Sequence, residues 1–349
     1  MSQPSEPVDW VAILEALYDL ERPREEWLGG VLRAAAPLSE PGGGIGGVLY
    51  HSSSATDFHL DLIAGLGLPT GFLEAGIEMH SNPAFSSVLA QSYRRLMCAS
   101  SVEFLGGGTF QEQFARDSMA QVGLGEALCV NGIDASGLGC ALYLFSKKPM
   151  ELLPRVLELL KRIASHLATA YRLQHRIAGA SPATLPRIDA MVSEQGQLLH
   201  AEGEASEPAA RSSLTRAAEQ YRWAHGAARR EQPETALEAR KGLVAGRWTL
   251  REHSEADGKT YLQAQANQPA ATGPSVLSDR EQQVAVLAAL GRSNKLIAYE
   301  LGLAHSTVRV LIARAARKIG AHSRGDLIAR LTASGSTVVG GSPDRREGP

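Results

Sequence analysis

Cysteine is scarce: Cys98, Cys129 and Cys140 are the only three in 349 residues, irregularly spaced. That excludes a disulfide framework and a structural zinc site and fits a reducing compartment. Long hydrophobic runs are absent too. The least polar stretch, Glu126 to Ser146, is interrupted by Asn131 and Asp134, so nothing approaches the ~20 apolar residues of a membrane span. The start, Met1 to Trp10, has Glu6 and Asp9 but no basic region, so neither a secretory signal nor an Arg-rich transit peptide is expected. A cytoplasmic, nucleoid-associated location follows as the expectation. No nucleophile, base or metal constellation can be assembled, so an enzyme is not expected. What is present, 44% hydrophobic and 21% charged residues, supports two or three globular units with real cores.

Charge of one sign is also missing, but only on average. The net charge of -2 divides into 13 basic against 19 acidic residues over 1–178, 11 against 12 over 179–274, and 9 against 4 over 275–335. The positive charge lies in the last ~60 residues, where it points to a polyanionic partner.

Apolar residues at Val11, Leu14, Leu17 and Tyr18 have helical spacing and open a first region. Strand-like runs at Ile45 to His51 and Phe58 to Ala64 follow, then helical patterns around Phe72 to Tyr93 and a short run Arg95 to Ala99. Glu126 to Ile133 and Leu138 to Phe145 flank the turn-forming Asp134-Ala135-Ser136-Gly137, which predicts a hairpin in an antiparallel sheet. Leu153, Val156, Leu157, Leu160, Ile163, Leu167, Ala170 and Leu173 then predict a long amphipathic helix. This order resembles a GAF or PAS-like sensory domain over residues 8–178. A Gly/Ser/Pro linker leads to a smaller α+β unit at 187–267, read as a reduced PAS-like module. A second linker follows, then 276–335, and a polar tail at 336–349 expected to be disordered.

Residues 276–335 carry the function. Ser278-Asp279-Arg280-Glu281 has capping-box spacing, so a helix begins at Asp279, with Val284, Leu287 and Leu290 inward and Gly291 just past its end. Ser293 caps a second helix that ends at Gly302. A third helix, Ser306 to Ile319, turns Val308, Ile312, Ala315 and Ile319 one way and Val310, Ala313, Arg314 and Arg317 the other, with Arg309 on the flank. Helix, short turn and helix with a basic outer face is what major-groove recognition requires. A fourth helix, Ser323 to Thr332, adds a stripe of Leu327, Ile328 and Leu331 that exceeds what three short helices need to cover.

Leu277-Ser278-Asp279-Arg280-Glu281, Gly291-Arg292-Ser293-Asn294-Lys295-Leu296-Ile297-Ala298, Thr307-Val308-Arg309, Arg317-Lys318-Ile319-Gly320 and Ser323-Arg324 together resemble the LuxR/GerE-type helix-turn-helix of bacterial transcriptional regulators. The resemblance implies that the third helix enters the major groove and the fourth dimerises. The expected DNA-contacting set is Lys295, Ser306, Thr307, Arg309, Val310, Ala313, Arg314, Arg317 and Lys318, and the expected dimer interface is Leu327, Ile328 and Leu331. The chain departs from the pattern at Leu296, usually Glu, at Ala304, usually the Ser cap, and at Leu311, frequently His.

Other signals lack context. Gly42-x-Gly44-x-x-Gly47 precedes a strand instead of joining strand to helix, and Gly106 to Gly108 has no following Gly-Lys-Ser/Thr, so no cofactor is expected. His51, Asp57, His59 and Asp61 read as turn and edge residues, not as a metal site. Cys129 and Cys140 fall on neighbouring strands of the predicted hairpin, leaving a redox role open beside that of small buried hydrophobes. A phosphoryl receiver would need an early acidic cluster and a parallel β/α alternation, and neither is present. The fold class is therefore multidomain: an α+β sensory region and an all-α four-helix DNA reader. The expected function is sequence-specific transcriptional regulation, with double-stranded DNA, RNA polymerase and a second copy of the chain as partners, and a small-molecule ligand or a protein partner at the N-terminal region. The alternatives are a protein-interaction scaffold with vestigial DNA binding and sigma-factor-like promoter recognition. No cofactor, metal or membrane enters any of them.

Overall fold

The computed structural model describes residues 8–134, 136–150, 153–179, 188–193, 195–240, 248–254, 260–266 and 277–338. Two short helices come first, α1 (Trp10–Tyr18), capped by the Asp9 carboxylate, and α2 (Arg24–Ala35). Strands β1 (Ile45–His51) and β2 (His59–Leu66) follow, then α3 (Phe72–Ser81), α4 (Pro83–Arg95), β3 (Cys98–Ser100), α5 (Ser101–Leu105) and α6 (Phe110–Gln121). Strands β4 (Glu126–Ile133) and β5 (Leu138–Ser146) form the expected hairpin: the Asp134 carboxylate accepts from the Ser136 and Leu138 amides, and Gly137 turns at φ 90°. The helix α7 (Pro154–Gly179) closes the region.

All pairings are antiparallel and the sheet order is β2-β1-β5-β4-β3. Alternation along the strands divides the core in two. Ile45, Leu49, Leu128, Val130, Cys140 and Leu142 pack with α1, α2 and α7. Val48, Tyr50, Cys129 and Ala141 face α4 and α5 on the other side. The two hairpin cysteines thus lie on opposite faces. Gly132 is the partner of Cys140, so Cys129 is also displaced along the strands by three residues, roughly 10 Å and beyond disulfide reach. Burial raises both thiols, so neither forms the reactive thiolate that redox sensing needs. The polar residues His51, Asp57, His59 and Asp61 engage separate partners. His59 pairs with Asp57 at 2.8 Å, Asp61 accepts from the Tyr171 hydroxyl at 2.6 Å, and His51 faces the Ser136 carbonyl.

The middle unit is a four-stranded antiparallel sheet of order β7-β6-β9-β8, from β6 (Ala190–Ser193), β7 (Leu198–Ala201), β8 (Trp248–Ser254) and β9 (Thr260–Ala266). Its long helix α8 (Pro208–His225) lays Ala210, Leu214, Ala218 and Tyr221 over the sheet residues Val192, Leu250, Leu262 and Ala264. Two short helices, α9 (Ala228–Glu231) and α10 (Pro233–Ala239), return the chain to the first region, where Ala224, Ala228 and Ala236 meet Val11. Four helices complete the chain: α11 (Asp279–Ala289), α12 (Asn294–Glu300), α13 (His305–Lys318) and α14 (Arg324–Val338). The last runs three residues into the segment expected to be disordered, and α7 reaches Gly179, inside the first expected linker (178–186); residues 180–187, 267–276 and 339–349 lie outside the described residues.

Helix α7 approaches β4 so closely that a side chain at Gly132 would overlap the Ala164 carbonyl oxygen and press on the Ala168 amide. Both obstacles are backbone, which cannot rotate away. Gly132→Ala is therefore expected to lower stability by ~1–3 kcal/mol through overpacking, read as a lower urea midpoint at unchanged slope.

Candidate nucleic-acid interface

Local sequence builds the C-terminal helices as expected. The Ser278 amide donates to Glu281 Oε2 at 2.8 Å and the Glu281 amide to Ser278 Oγ at 3.4 Å, completing the capping box of α11. Gly291 follows at φ 78°, a conformation that Cβ-bearing residues avoid. Ser293 Oγ accepts from the Leu296 amide at the start of α12. Helix α13 begins one residue earlier than expected, at His305, and Ala304 offers no side-chain cap.

On α13, Val308, Ile312 and Ala315 are buried while Ser306, Thr307, Arg309, Val310, Ala313, Arg314, Arg317 and Lys318 are exposed, so these candidate contacts share one solvent-facing surface. Lys295 is exposed at the start of α12. Lys318 is the exception in role: its Nζ holds Glu281 at 2.7 Å, which ties α13 to α11. With the capping amide, that pairing pulls the Glu281 carboxyl down to about 2, the Lys318 hydrogen bond acting most strongly. Arg324 does similar work, its guanidinium reaching the Asn294 side chain and the Arg292 carbonyl and fastening α14 to the turn before α12.

The expected dimer residue Leu327 is wholly buried, at 0% exposure. Helix α14 folds back over α11 and α13, and Leu327 belongs to the same buried cluster as Val284, Ile312 and Ala315. Ile328 and Leu331 are half-buried against that core. The apparently surplus stripe is thus largely spent within the monomer. Helix α7 packs against the sheet, α1, α10 and α12.

Sequence reasoning missed a seam. Every residue from Leu296 to Glu300 is buried, because α12 packs with its second side against α7. Leu296, in place of the usual Glu, and Tyr299 enter the core of the first region at 9% and 6% exposure. The Tyr299 hydroxyl lies 2.7 Å from His166 Nε2 and faces the carbonyls of Leu237, at 3.0 Å, and Arg240, at 2.8 Å. His166 Nδ1 lies 3.0 Å from the Tyr18 hydroxyl. Carbonyls only accept, so Tyr299 donates to one of them and accepts from an Nε2–H, while Tyr18 donates to Nδ1. Burial drives the imidazole pKa down to about 3, with the Arg240 charge adding to the effect, which keeps His166 in that neutral form. Arg292 and Glu300 sit beside this node, 4.0 Å apart; Arg292 also reaches the Ile133 carbonyl at 3.5 Å, and Ser165 donates to Glu300 at 3.4 Å.

A second feature lies on the far face of the first sheet. Between β1, β2, β5 and helices α3, α5 and α6 is an apolar cavity of about 80 Å³, lined by Val48, Ile63, Leu73, Met79, Phe114 and Phe145 among others. Its polar wall is a directed chain. His80 Nδ1 faces the Gly76 carbonyl at 2.8 Å and Nε2 faces the Tyr93 hydroxyl at 2.8 Å; Tyr93 meets Tyr143 at 2.5 Å, and Tyr143 meets Cys129. Burial lowers the His80 pKa to about 4, so the ring is neutral, donates from Nδ1 and accepts at Nε2. Tyr93 then donates to His80, Tyr143 to Tyr93 and the thiol to Tyr143. Every donor of the chain is used internally, leaving an apolar surface for an occupant.

Residues 275–331 match the family model "Bacterial regulatory proteins, luxR family". No curated protein matches the chain at a significant level. Among solved structures, that of Escherichia coli SdiA aligns at 10% identity over 90% of this chain and 92% of that chain, with a TM-score of 0.33, too low to carry an argument. The chain thus carries a LuxR-family domain at 275–331.

Two expectations follow. Leu327→Ala should cost ~2–5 kcal/mol as a cavity mutation and leave the oligomeric state by light scattering unchanged; a changed mass without a stability loss would restore Leu327 to an interface. Buried neutral His80 and His166 take up protons only on unfolding at mildly acidic pH. Stability should therefore be full above pH ~6.5 and fall as the pH drops toward the folded values, by about 2 kcal/mol per ring at pH 5. Urea midpoints measured from pH 7.5 to 5 check this, and His80→Gln should flatten the slope.

Proposed function

We propose that the chain is a sequence-specific transcriptional regulator, not an enzyme, in which a GAF/PAS-like sensory region controls the C-terminal reader. One observation supports this above the others: α13 buries an apolar stripe and presents a basic, small-residue face to solvent, the shape and charge that enter a major groove. In this reading Arg309 addresses a base edge and Lys295 a phosphate, with Arg314 and Arg317 beside them. Lys318 serves the fold through Glu281.

The cavity is where the sensory region would bind a signal. Its lining selects an uncharged, predominantly apolar small molecule. The chain would act in the cytoplasm, at the nucleoid, as a homodimer engaging RNA polymerase, with pairing through surfaces other than Leu327. Among the described residues no single helix is long and apolar enough to cross a membrane; the one bent pair that passes by composition, Asn294–Glu300 with His305–Lys318, is the helix-turn-helix itself.

Selection of bound genomic fragments followed by footprinting tests the reading, and failure to enrich any sequence favours the scaffold alternative. On an enriched site, Arg309→Ala should cut affinity by ~1–3 kcal/mol and spare random DNA. Lys295→Ala should weaken all sequences alike and reduce the salt slope by about one. Equal losses on both DNAs for Arg309→Ala would remove its base-reading role.

A further inference from the structure

The surface around the start of α12 does not end with the C-terminal helices. Helix α4 belongs to the first region, and it buries Phe85, Leu89, Ala90 and Tyr93. Taking about 100° per residue, the line opposite them runs through Ala84, Ser87, Gln91 and Arg95, and all four are exposed. No acidic residue occurs between Pro83 and Arg95. The end of this line meets the turn between α11 and α12. A side chain at Gly291 would stand 3.8 Å from the Arg95 carbonyl oxygen, and the next residue, Arg292, is buried with its guanidinium 3.5 Å from the Ile133 carbonyl. Arg95 therefore lies beside the start of α12, where Ser293 and Lys295 are exposed.

Among the described residues the Arg95 side chain has no hydrogen bond or ion pair. Its neighbour Arg94 already serves the fold, donating to the Ser52 carbonyl at 2.8 Å. Glu158 of α7, which feels the Lys295 charge, is held by Lys161 Nζ at 2.9 Å, so the acid beside α12 is matched by a cation of its own helix. An exposed cation on an acid-free helix line, continuous with a lysine assigned to a phosphate, has the chemistry to engage a further phosphate of the same duplex. We propose that Arg95 contacts the DNA backbone next to Lys295, so that the nucleic-acid interface runs from the C-terminal helices onto the first region. The inference rests on the DNA-reading function proposed above and adds a contact from outside the LuxR-family domain at 275–331. It gives the seam a use: Leu296 and Tyr299, packed into the core of the first region, hold the two cations in a fixed relation. A phosphate carries no sequence information, so Arg95 adds affinity and orientation and leaves base reading to α13. A cation at a helix C-terminus also offsets the carbonyl dipoles there, but that role shows in stability, not in salt-dependent binding.

The test uses the full chain with two duplexes, one obtained by selection from a library and one of random sequence. Arg95→Ala should weaken binding to both alike and lower the salt slope by about one. Its affinity deficit should therefore shrink about threefold between roughly 50 and 200 mM salt, while the urea midpoint stays where it was. Arg95→Lys should restore most of the affinity, because a phosphate accepts either cation. Ethylation interference on the selected duplex should lose one phosphate with Lys295→Ala and a different, nearby one with Arg95→Ala. Unchanged affinity and slope on Arg95→Ala, a loss that salt does not alter, or a lowered urea midpoint with the slope intact overturns the proposal. If the unaltered chain binds neither duplex, the DNA-reading function fails first and the inference falls with it.

Discussion

The relation of the three units rests on one imidazole. His166 projects from α7 of the first region, accepts a hydrogen bond from Tyr18 of α1 and donates one to the node formed by Tyr299 of α12 and the Arg240 carbonyl beyond α10. The Arg240 side chain lies between the rings of Tyr18 and Tyr221, at 4.7 and 4.6 Å, so the same residue also grips the middle unit. Each hydroxyl and each ring nitrogen has a role that the others determine, which is the condition under which a buried polar network specifies one arrangement. Neutrality is part of that condition. A charged ring would turn both nitrogens into donors, and the Tyr18 proton would have no acceptor at Nδ1.

Helix α12 consequently has two jobs. Ile297 and Leu301 face the core of the reader, while Leu296 and Tyr299 face the first region. A helix apolar on both sides is buried on both, so the C-terminal helices are fixed to the first region by packing as well as by chain connection. The polar part of the seam is loose by comparison. Arg292 and Glu300 are separated by 4.0 Å and contact their other partners at 3.4–3.5 Å, while burial disfavours both charges. A buried pair with such long contacts contributes little net stability. Separation would return both charges to water and expose Leu296 and Tyr299, so the apolar pair and the tyrosine hydroxyl carry the docking.

Much of this was legible in the sequence because the signals are local. The Ser278–Glu281 capping box, the glycines after α11 and α12, the Asp134 turn and the 3.6-residue stripe of α7 each act within a few residues, and each element stands where its pattern placed it. The errors came from partners distant in sequence. Helical periodicity alone leaves Leu327 surplus, because it carries no information on how the four helices cross, whereas α14 folds across α11 and uses Leu327 as core. Cys129 and Cys140 looked like neighbours because the strands are, but register places them on opposite faces. The seam did leave a trace: Leu296 and Tyr299 give α12 apolar character on the side away from Ile297, and an all-round apolar short helix predicts a second neighbour. The cavity left less, since its small and aromatic lining residues are drawn from separate elements.

The charge asymmetry acquires a more specific meaning once the seam is known. An acidic first region and a basic reader attract one another at long range, and DNA competes for the same positive surface. Salt screens such exposed charges beyond ~8–10 Å, yet it hardly touches buried Leu296, Tyr299 and neutral His166. Electrostatics therefore governs whether the exposed face of α13 meets a polyanion, while packing and neutral hydrogen bonds govern where that face points. The two sides of the reader are energetically separable because α12 and α13 divide them: one helix carries the apolar attachment and the other carries the charge.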